Sequence, residues 1–585
     1  MKAAQRRPAR GLLTRMLPAL RWLAGYNRTL FAADARAGAT VAVLLVPQGM
    51  AYAALAGMPP VTGLYAAMVS LVVYALLGTS NHVSVAPVAI DSLLVTAAVA
   101  PLAAGDPARY VALAGVLALI VGGFQIGAGL LRLGGLVSFL SVPVINGFTA
   151  AAAMTIAASQ LKDLLGVQVS GTSSSFVETV RAIAPVLART QTLTLMLGLV
   201  AIVVLVLLRR FLPRMPGPLV VVVLSTGLVS LLGWSDRIAV LGQVPSGLPS
   251  PGLPAVSLSD VRALVPSAAA IALISFMETI STGTAFARRT RARVVPDQEL
   301  VAVGSANAAA GLFGGFAVAG GFSRGAVNFG AGARTPMSGV LAALGLVVAV
   351  VAFTPLLSNL PKVALAAVIL VAVASLVDVR GARGIGRVRR SDLVSLVVTA
   401  LATLVLGPAL GLGVGVATSV AIFLRQTTRV HLPELGPVPG TRMYRNVQRH
   451  AVLTRPDLAV LRVDAPLYFA NARGVADEIG ELTMSRPRLE YVVLDCSGIT
   501  AIDYTGAETL SDLKRELEQA RVELHLAAIR GPVQDVLERT RIWDELTDTG
   551  RVHIGVAEAV DTISEGDAEE RKADLTAGRS ARCPR

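Results

Sequence analysis

From about Arg36 to Arg425 the chain reads as one apolar segment after another, separated by short polar or basic stretches. Runs such as "VSLVVYALLG" and "LTLMLGLVAIVVLVLL" approach or reach the ~20 residues that carry a helix across a bilayer. Windowed hydropathy divides this region into about fourteen spans. They begin near Gly38, Val61, Ser84, Tyr110, Leu136, Leu193, Pro218, Ala263, Leu300, Phe322, Met337, Val363, Asp392 and Leu410. Two of these are defective. "SVAPVAIDSLLVTAAVAP" is short and starts around Pro87, which has no amide hydrogen, and "GGFSRGAVNFGAGA" is shorter and broken by glycine. They stand third and tenth, seven spans apart, and paired broken helices in two halves point to a binding site at the bilayer midplane.

After Arg429 the pattern changes. "LAVLRVDAPLYFA" and "LEYVVLDCSGITAID" read as strands, and "GAETLSDLKRELEQA", "VELHLAAI" and "PVQDVLERTRIWDEL" as helix, strand and helix. That alternation predicts a small α/β domain with a mostly parallel sheet. The expected organisation is a cytosolic N-terminal segment (1–35), a transmembrane domain (36–429), a linker (430–450), the α/β domain (451–564) and a disordered tail (565–585).

Composition agrees with a membrane protein: 54% of the 585 residues are apolar and 15% charged, with mean hydropathy +0.65. A soluble domain carries about a quarter charged residues. The net charge of +14 would suit nucleic acid, but its location argues against that partner. The clusters "RRFLPR", "ARRTRAR", "RGARGIGRVRR" and "RQTTR" each follow an even-numbered span. With the N-terminus in the cytosol, every cluster then lies inside, next to anionic lipid. An even number of spans leaves the α/β domain cytosolic too. Cys496 and Cys583 make no disulfide framework, the histidines have no metal-ligand spacing, and without a Gly-Lys pair there is no P-loop. No cofactor, metal or enzymatic constellation is expected.

Lone polar groups in the apolar spans carry the chemistry. Arg324 is the only charge between Glu299 and Arg334. An uncompensated charge at mid-bilayer costs ~3 kcal/mol on insertion scales, so such a group faces a cavity or a partner. If the third and tenth helices start near Pro87 and Phe322, their positive ends point at each other. With Ser323 and Arg324 they form an anion pocket. The alternatives are an ion pair or a snorkelling helix end. Glu278, alone between Arg262 and Arg288, has Thr282 one turn on. It could bind a proton, or Na⁺ together with that hydroxyl, or pair statically with Arg324. Gln48 and Tyr52 share one face of the first span, as cavity-lining hydrogen bonders or as partners of a neighbouring helix, and Asp91 sits one turn past Pro87 as a second protonation site or as a group at a wide polar cavity.

"VPQGMAYAALAGMPPVTGLYAA", "SVAPVA", "GGFSRGAVN...AGARTPMSG" and "LDCSGITAIDYTGAETL" resemble the SulP anion permeases, related to animal solute carrier family 26, from about Asp34 to Ser564. The resemblance implies fourteen spans as two inverted repeats of seven, split into core and gate, plus a cytosolic STAS domain. It also implies a homodimer, alternating access, and an anion held between the starts of spans three and ten. Ser323 and Arg324 match the family's serine–arginine pair, next to Phe322 at the start of span ten. Ala86, Pro87 and Val88 match its third-span motif, and Gln48 and Tyr52 its pocket positions in span one. Glu278 matches an acidic position implicated in cation coupling, with Thr282 beside it. Gly325 replaces a commoner serine, and Asp91 stands where apolar residues are usual. In the STAS domain Thr505 matches a phosphorylatable position, although Asp503 and Thr505 are also good N-caps.

The expected function is secondary active transport of a small anion across the cell membrane, coupled to H⁺ or Na⁺. Sulfate, bicarbonate and small dicarboxylates all suit one guanidinium and two helix starts. The competing readings are an uncoupled exchanger or channel, and a membrane sensor that signals through a cytosolic partner of STAS.

Overall fold

The computed structural model describes residues 17–135, 141–169, 175–212, 215–242, 247–374, 376–566 and 568. Contacts divide the chain into two compact units, Met1–Ser419 and Val420–Arg585. The membrane unit holds α1 (Arg28–Leu55), α2 (Pro60–Leu77), α3 (Ala89–Ala103), α4 (Pro107–Leu130), α5 (Val142–Leu165), α6 (Thr192–Phe211) and α7 (Gly217–Leu231). After these come α8 (Leu258–Thr290), α9 (Pro296–Leu312), α10 (Phe322–Gly330), α11 (Met337–Leu357), α12 (Lys362–Ala374), α13 (Arg390–Leu406) and α14 (Pro408–Thr428), whose residues beyond Ser419 fall in the second unit. Each predicted span maps onto one of these helices, in order. Among the described residues eight helices are long and apolar enough to cross a membrane, with shorter apolar ones such as α3 and α7 beside them. The helix starts have local causes. Proline opens α2, α4, α5, α7 and α9, where its missing N–H leaves nothing unpaired. Ser257 and Asp260 form a capping box on α8.

Helix pairings repeat when every number is shifted by seven. α4 packs on α9 as α11 packs on α2, α1 on α11 as α8 on α4, and α5 on α13 as α12 on α6. The chain is thus two repeats of seven, with α1–α4 and α8–α11 as a core and α5–α7 and α12–α14 as a gate. Side chains such as Leu199 and Val203 on α6, or Leu344 and Val348 on α11, stay exposed, as a lipid-facing surface requires. Inside the core, α4 and α9 approach at glycine. A Cβ on Gly122 would meet the Gly304 carbonyl oxygen at 2.5 Å, and one on Gly304 would meet that of Gly122 at 2.8 Å. Such small-residue crossings let backbones pack closely where burial from water drives nothing. "GLGVGVA" plays the same part, since Gly411 and Gly415 of α14 pack on Thr403 and Thr399 of α13.

Two short strands inside the core, β1 (Val85–Ala86) and β2 (Ala319–Gly320), precede α3 and α10. They pair antiparallel, Val85 opposite Gly320 and Ala86 opposite Ala319. The odd number of spans in each repeat makes the repeats inverted, and this pairing sets the two helix starts against each other.

The second unit has its own core, built on a six-stranded sheet of order β4-β3-β5-β6-β7-β8. The strands are β3 (Glu434–Pro437), β4 (Tyr444–Asn446), β5 (Leu458–Arg462), β6 (Tyr491–Asp495), β7 (Glu523–Ala527) and β8 (Val552–His553). β5 to β8 pair in parallel, while β3 pairs antiparallel with β4 and β5. The hairpin β3–β4 lies in what the sequence suggested was a linker. Helices α15 (Ala472–Ser485) and α16 (Tyr504–Gln519) cover the sheet, and the last predicted helix divides into α17 (Gly531–Leu537) and α18 (Arg541–Asp548). Thr540 causes the break, its backbone extended at φ −123° as the N-cap of α18. From 569 on, the predicted tail lies outside the described residues.

Candidate functional site

The site is built on the β1–β2 pair, and buried polar side chains fix that pair in place. Asn307 of α9 accepts from the Val318 amide at 2.8 Å and donates back to the Val318 carbonyl at 3.0 Å. Gln125 of α4 in turn accepts from Asn307 and donates to Ser275 and the Ala272 carbonyl on α8. Thr279 accepts from the Gly320 amide at 2.8 Å. On the approach to β1, Glu299 accepts from Tyr74 and from both the amide and the hydroxyl of Thr79. Glycine is required at 320 because a Cβ there would press on Val83 at 2.8 Å and on Thr279 at 3.0 Å.

Arg324 closes this frame. It is 2% exposed and sits in the first turn of α10 with its guanidinium folded back across the strands. One terminal nitrogen donates to the Pro87 carbonyl at 2.8 Å, the other to Ala86 at 2.9 Å, Ala319 at 3.2 Å and Ser84 at 3.4 Å. Its Nε has no acceptor. No ion pair joins Arg324 to a carboxylate among the described residues, and it does not face lipid. It cross-links the two broken helices and leaves a full positive charge behind their opposed starts. The first intrahelical bonds are Ser92 amide to Val88 carbonyl in α3 and Gly325 amide to Gly321 carbonyl in α10. The amides of Ala89, Ile90 and Asp91 and of Phe322, Ser323 and Arg324 are donors of the kind that every helix start leaves free, while the Gly321 amide donates to the Ser84 carbonyl at 3.3 Å.

In front of this arrangement opens a cavity of about 930 Å³. Val88 and Ala89 line it from α3, and Phe322, Ser323 and Arg324 from α10. Ala86 and Pro87 stand behind, their carbonyls turned to the guanidinium. Gln48 and Tyr52 face the cavity from α1, and the Gln48 amide donates to the Tyr52 hydroxyl at 2.9 Å. Tyr52 therefore keeps its own hydrogen for a ligand. Phe322 is 58% exposed and stacks on Phe286 at 5.5 Å, giving the polar floor one apolar wall. Gly325 packs on Phe286 and Thr282, where a Cβ would come within 2.9 and 3.0 Å. The lining descends past Thr40 of α1 to Arg209 at the end of α6 and Met215 before α7. The cavity therefore opens on the side of the arginine clusters.

Glu278 lines the cavity half-buried, with no hydrogen-bond or ion-pair partner among the described residues. Thr282, one turn on, donates its hydroxyl hydrogen to the Gly320 carbonyl at 3.2 Å. Asp91 is fully buried in the first turn of α3, and neither carboxylate oxygen has a donor. In the second unit Asp503 is the N-cap of α16, accepting from the Gly506 amide at 2.7 Å, while Thr505 is exposed one residue inside the helix. The sequence reading missed the positioning residues Asn307, Gln125 and Thr279. Their only signal is polarity inside apolar helices.

The sequence matches the Sulfate permease family over residues 31–399 and the STAS domain over 450–559. A "Probable sulfate transporter" of Mycobacterium tuberculosis is 38% identical over 533 residues, covering 90% of this chain and 94% of its own. Human solute carrier family 26 member 6 is 36% identical, over 80% of this chain and 65% of its own. Among solved structures, murine solute carrier 26 family member A9 in the inward-facing state superposes with a TM-score of 0.89 at 24% identity, over 96% of each chain. The transmembrane domain of a cyanobacterial bicarbonate transporter gives 0.58 at 26% identity, over 68% of this chain and 98% of its own.

Proposed function

Because this chain belongs to the sulfate permease family, whose members transport anions and are not enzymes, we propose that it carries a divalent oxyanion of the sulfate class by alternating access, driven by protons. The observation that carries this reading is the opposition of two helix starts across β1–β2 with the Arg324 charge behind them. A tetrahedral dianion there takes the free amides of α3 and α10, the Ser323 hydroxyl and the Tyr52 hydrogen. The arginine attracts it electrostatically while remaining bound to carbonyl oxygens.

Proton coupling is favoured over sodium by what the carbonyls are doing. A broken helix offers backbone oxygens to a cation, but here those of Ala86, Pro87 and Ala319 accept from Arg324 and that of Gly320 from Thr282. Glu278 faces the cavity alone, which suits a proton. On this reading the arginine-rich side is cytosolic, so the N-terminus and the STAS domain lie inside a cell membrane and the cavity is open inward. Pairing of two copies and a cytosolic partner for STAS come from the family resemblance.

Reconstituted protein is to be tested for uptake of labelled sulfate, bicarbonate and fumarate under imposed H⁺ or Na⁺ gradients. Sulfate uptake that follows the proton gradient, and loses that dependence in Glu278→Gln, supports the proposal. Uptake that follows sodium, or a current that needs neither gradient, refutes the coupling.

A further inference from the structure

Asp91 has no role in holding the fold and none of the partners a buried carboxylate needs. It is 0% exposed, both oxygens lack a donor, and it does not line the cavity. α3 packs against α1, α4, α5 and α8. Two charges act on Asp91: Glu278 on α8 and Arg324 on α10. α1 contributes Gln48 and Tyr52, already hydrogen-bonded to each other. α4 has Arg109 and Tyr110, whose hydroxyl donates to the Ala56 carbonyl, and α5 has Lys162 and Asp163, all near helix ends away from the first turn of α3. We propose that Asp91 is a second proton-binding site, coupled to Glu278, so that two protons accompany each divalent anion.

An ionised carboxylate buried without a donor is strongly disfavoured, whereas the neutral acid costs much less. Asp91 therefore holds a proton while a bound dianion offsets the Arg324 charge, and releases it when the anion leaves and that positive charge stands uncompensated beside it. Glu278, which does line the cavity, is the group through which that proton exchanges with water. The charge count gives the pair its purpose. With both acids neutral and Arg324 charged, the site has one positive charge and a dianion brings it to one negative charge. With both acids ionised and no anion, the site again has one negative charge. Loaded and empty forms then cross the membrane with equal charge, and transport is electroneutral. With Glu278 alone as carrier, the two crossings would differ by one charge. The inference rests on the proton-coupled reading above and adds its stoichiometry.

The test is a proton count on the full-length protein in detergent. Sodium sulfate is titrated calorimetrically in buffers of different ionisation enthalpy, which gives the protons taken up per sulfate bound. Wild type is expected to take up about two and Asp91→Asn about one, with sulfate affinity losing one order of its pH dependence. Glu278→Gln serves as the one-proton reference. A wild-type count of one overturns the inference whatever the variant does, and so does an unchanged count in Asp91→Asn. Wild type that binds sulfate with no proton uptake removes the coupling reading itself, and wild type that binds no sulfate removes the transport reading beneath it.

Discussion

Arg324 has two jobs that substitution can separate. Its hydrogen bonds hold β1 to the start of α10, and in the proposed function its charge attracts the anion. Arg324→Ala removes both and orphans buried carbonyls at roughly 1–3 kcal/mol each. The expected outcome is loss of uptake together with a lower melting temperature in detergent. Arg324→Lys keeps the charge but cannot span several carbonyls with one compact ammonium. It should recover part of the anion affinity and little of the thermal stability, measured by sulfate titration and melting on the same sample. Equal recovery of both would mean that charge alone accounts for the residue. The lone arginine was visible in the sequence. That it binds carbonyls instead of presenting its fork to the anion was not, because the acceptors on Ser84, Ala86 and Pro87 lie 237 to 240 positions away in the chain.

At the level of elements, the α4–α9 crossing depends on missing side chains. Gly122 faces the Gly304 backbone, whereas nothing lies within 4 Å of a Cβ on Gly123. Gly122→Leu is expected to cost about 1–3 kcal/mol by overpacking, and Gly123→Leu close to nothing, as read from paired melting curves. Strand pairing in the second unit gives a pH prediction. His525 on β7 and His553 on β8 are buried with ring nitrogens 3.0 Å apart. Burial first, then the His553 and Arg551 charges, lower the His525 pKa to about 4. The unfolded residue titrates near 6.5 and so binds more protons than the folded one between these values. Stability therefore falls as pH drops from about 6.5 towards 4. Amide-exchange protection of β7 and β8 in the full chain should fall over that window, and His525→Asn should flatten the fall. Hydropathy made the helices legible, including the two short ones at three and ten. The β3–β4 hairpin was not, since "ELGP" and "YRN" are too short to set up an alternation.

For the whole molecule, alternating access as proposed requires that one fixed site be exposed to each side in turn. Core and gate must then move against each other around the α3 and α10 starts. In the present conformation the passage runs past Thr40, Arg209 and Met215, which opens Ser323 to the arginine-rich side. A single cysteine at Ser323→Cys makes this measurable. The native background is low: Cys496 is buried, with its thiol pushed up to about 12, and Cys583 is replaced by serine. A membrane-impermeant thiol reagent added from the arginine-rich side should label the engineered cysteine quickly, and sulfate should slow the labelling. From the opposite side, labelling should be slow without substrate and should accelerate only under a proton gradient with sulfate present, because turnover then exposes the same atom outward. Equal labelling from both sides in the absence of substrate would mean a continuous pore and would rule out alternating access.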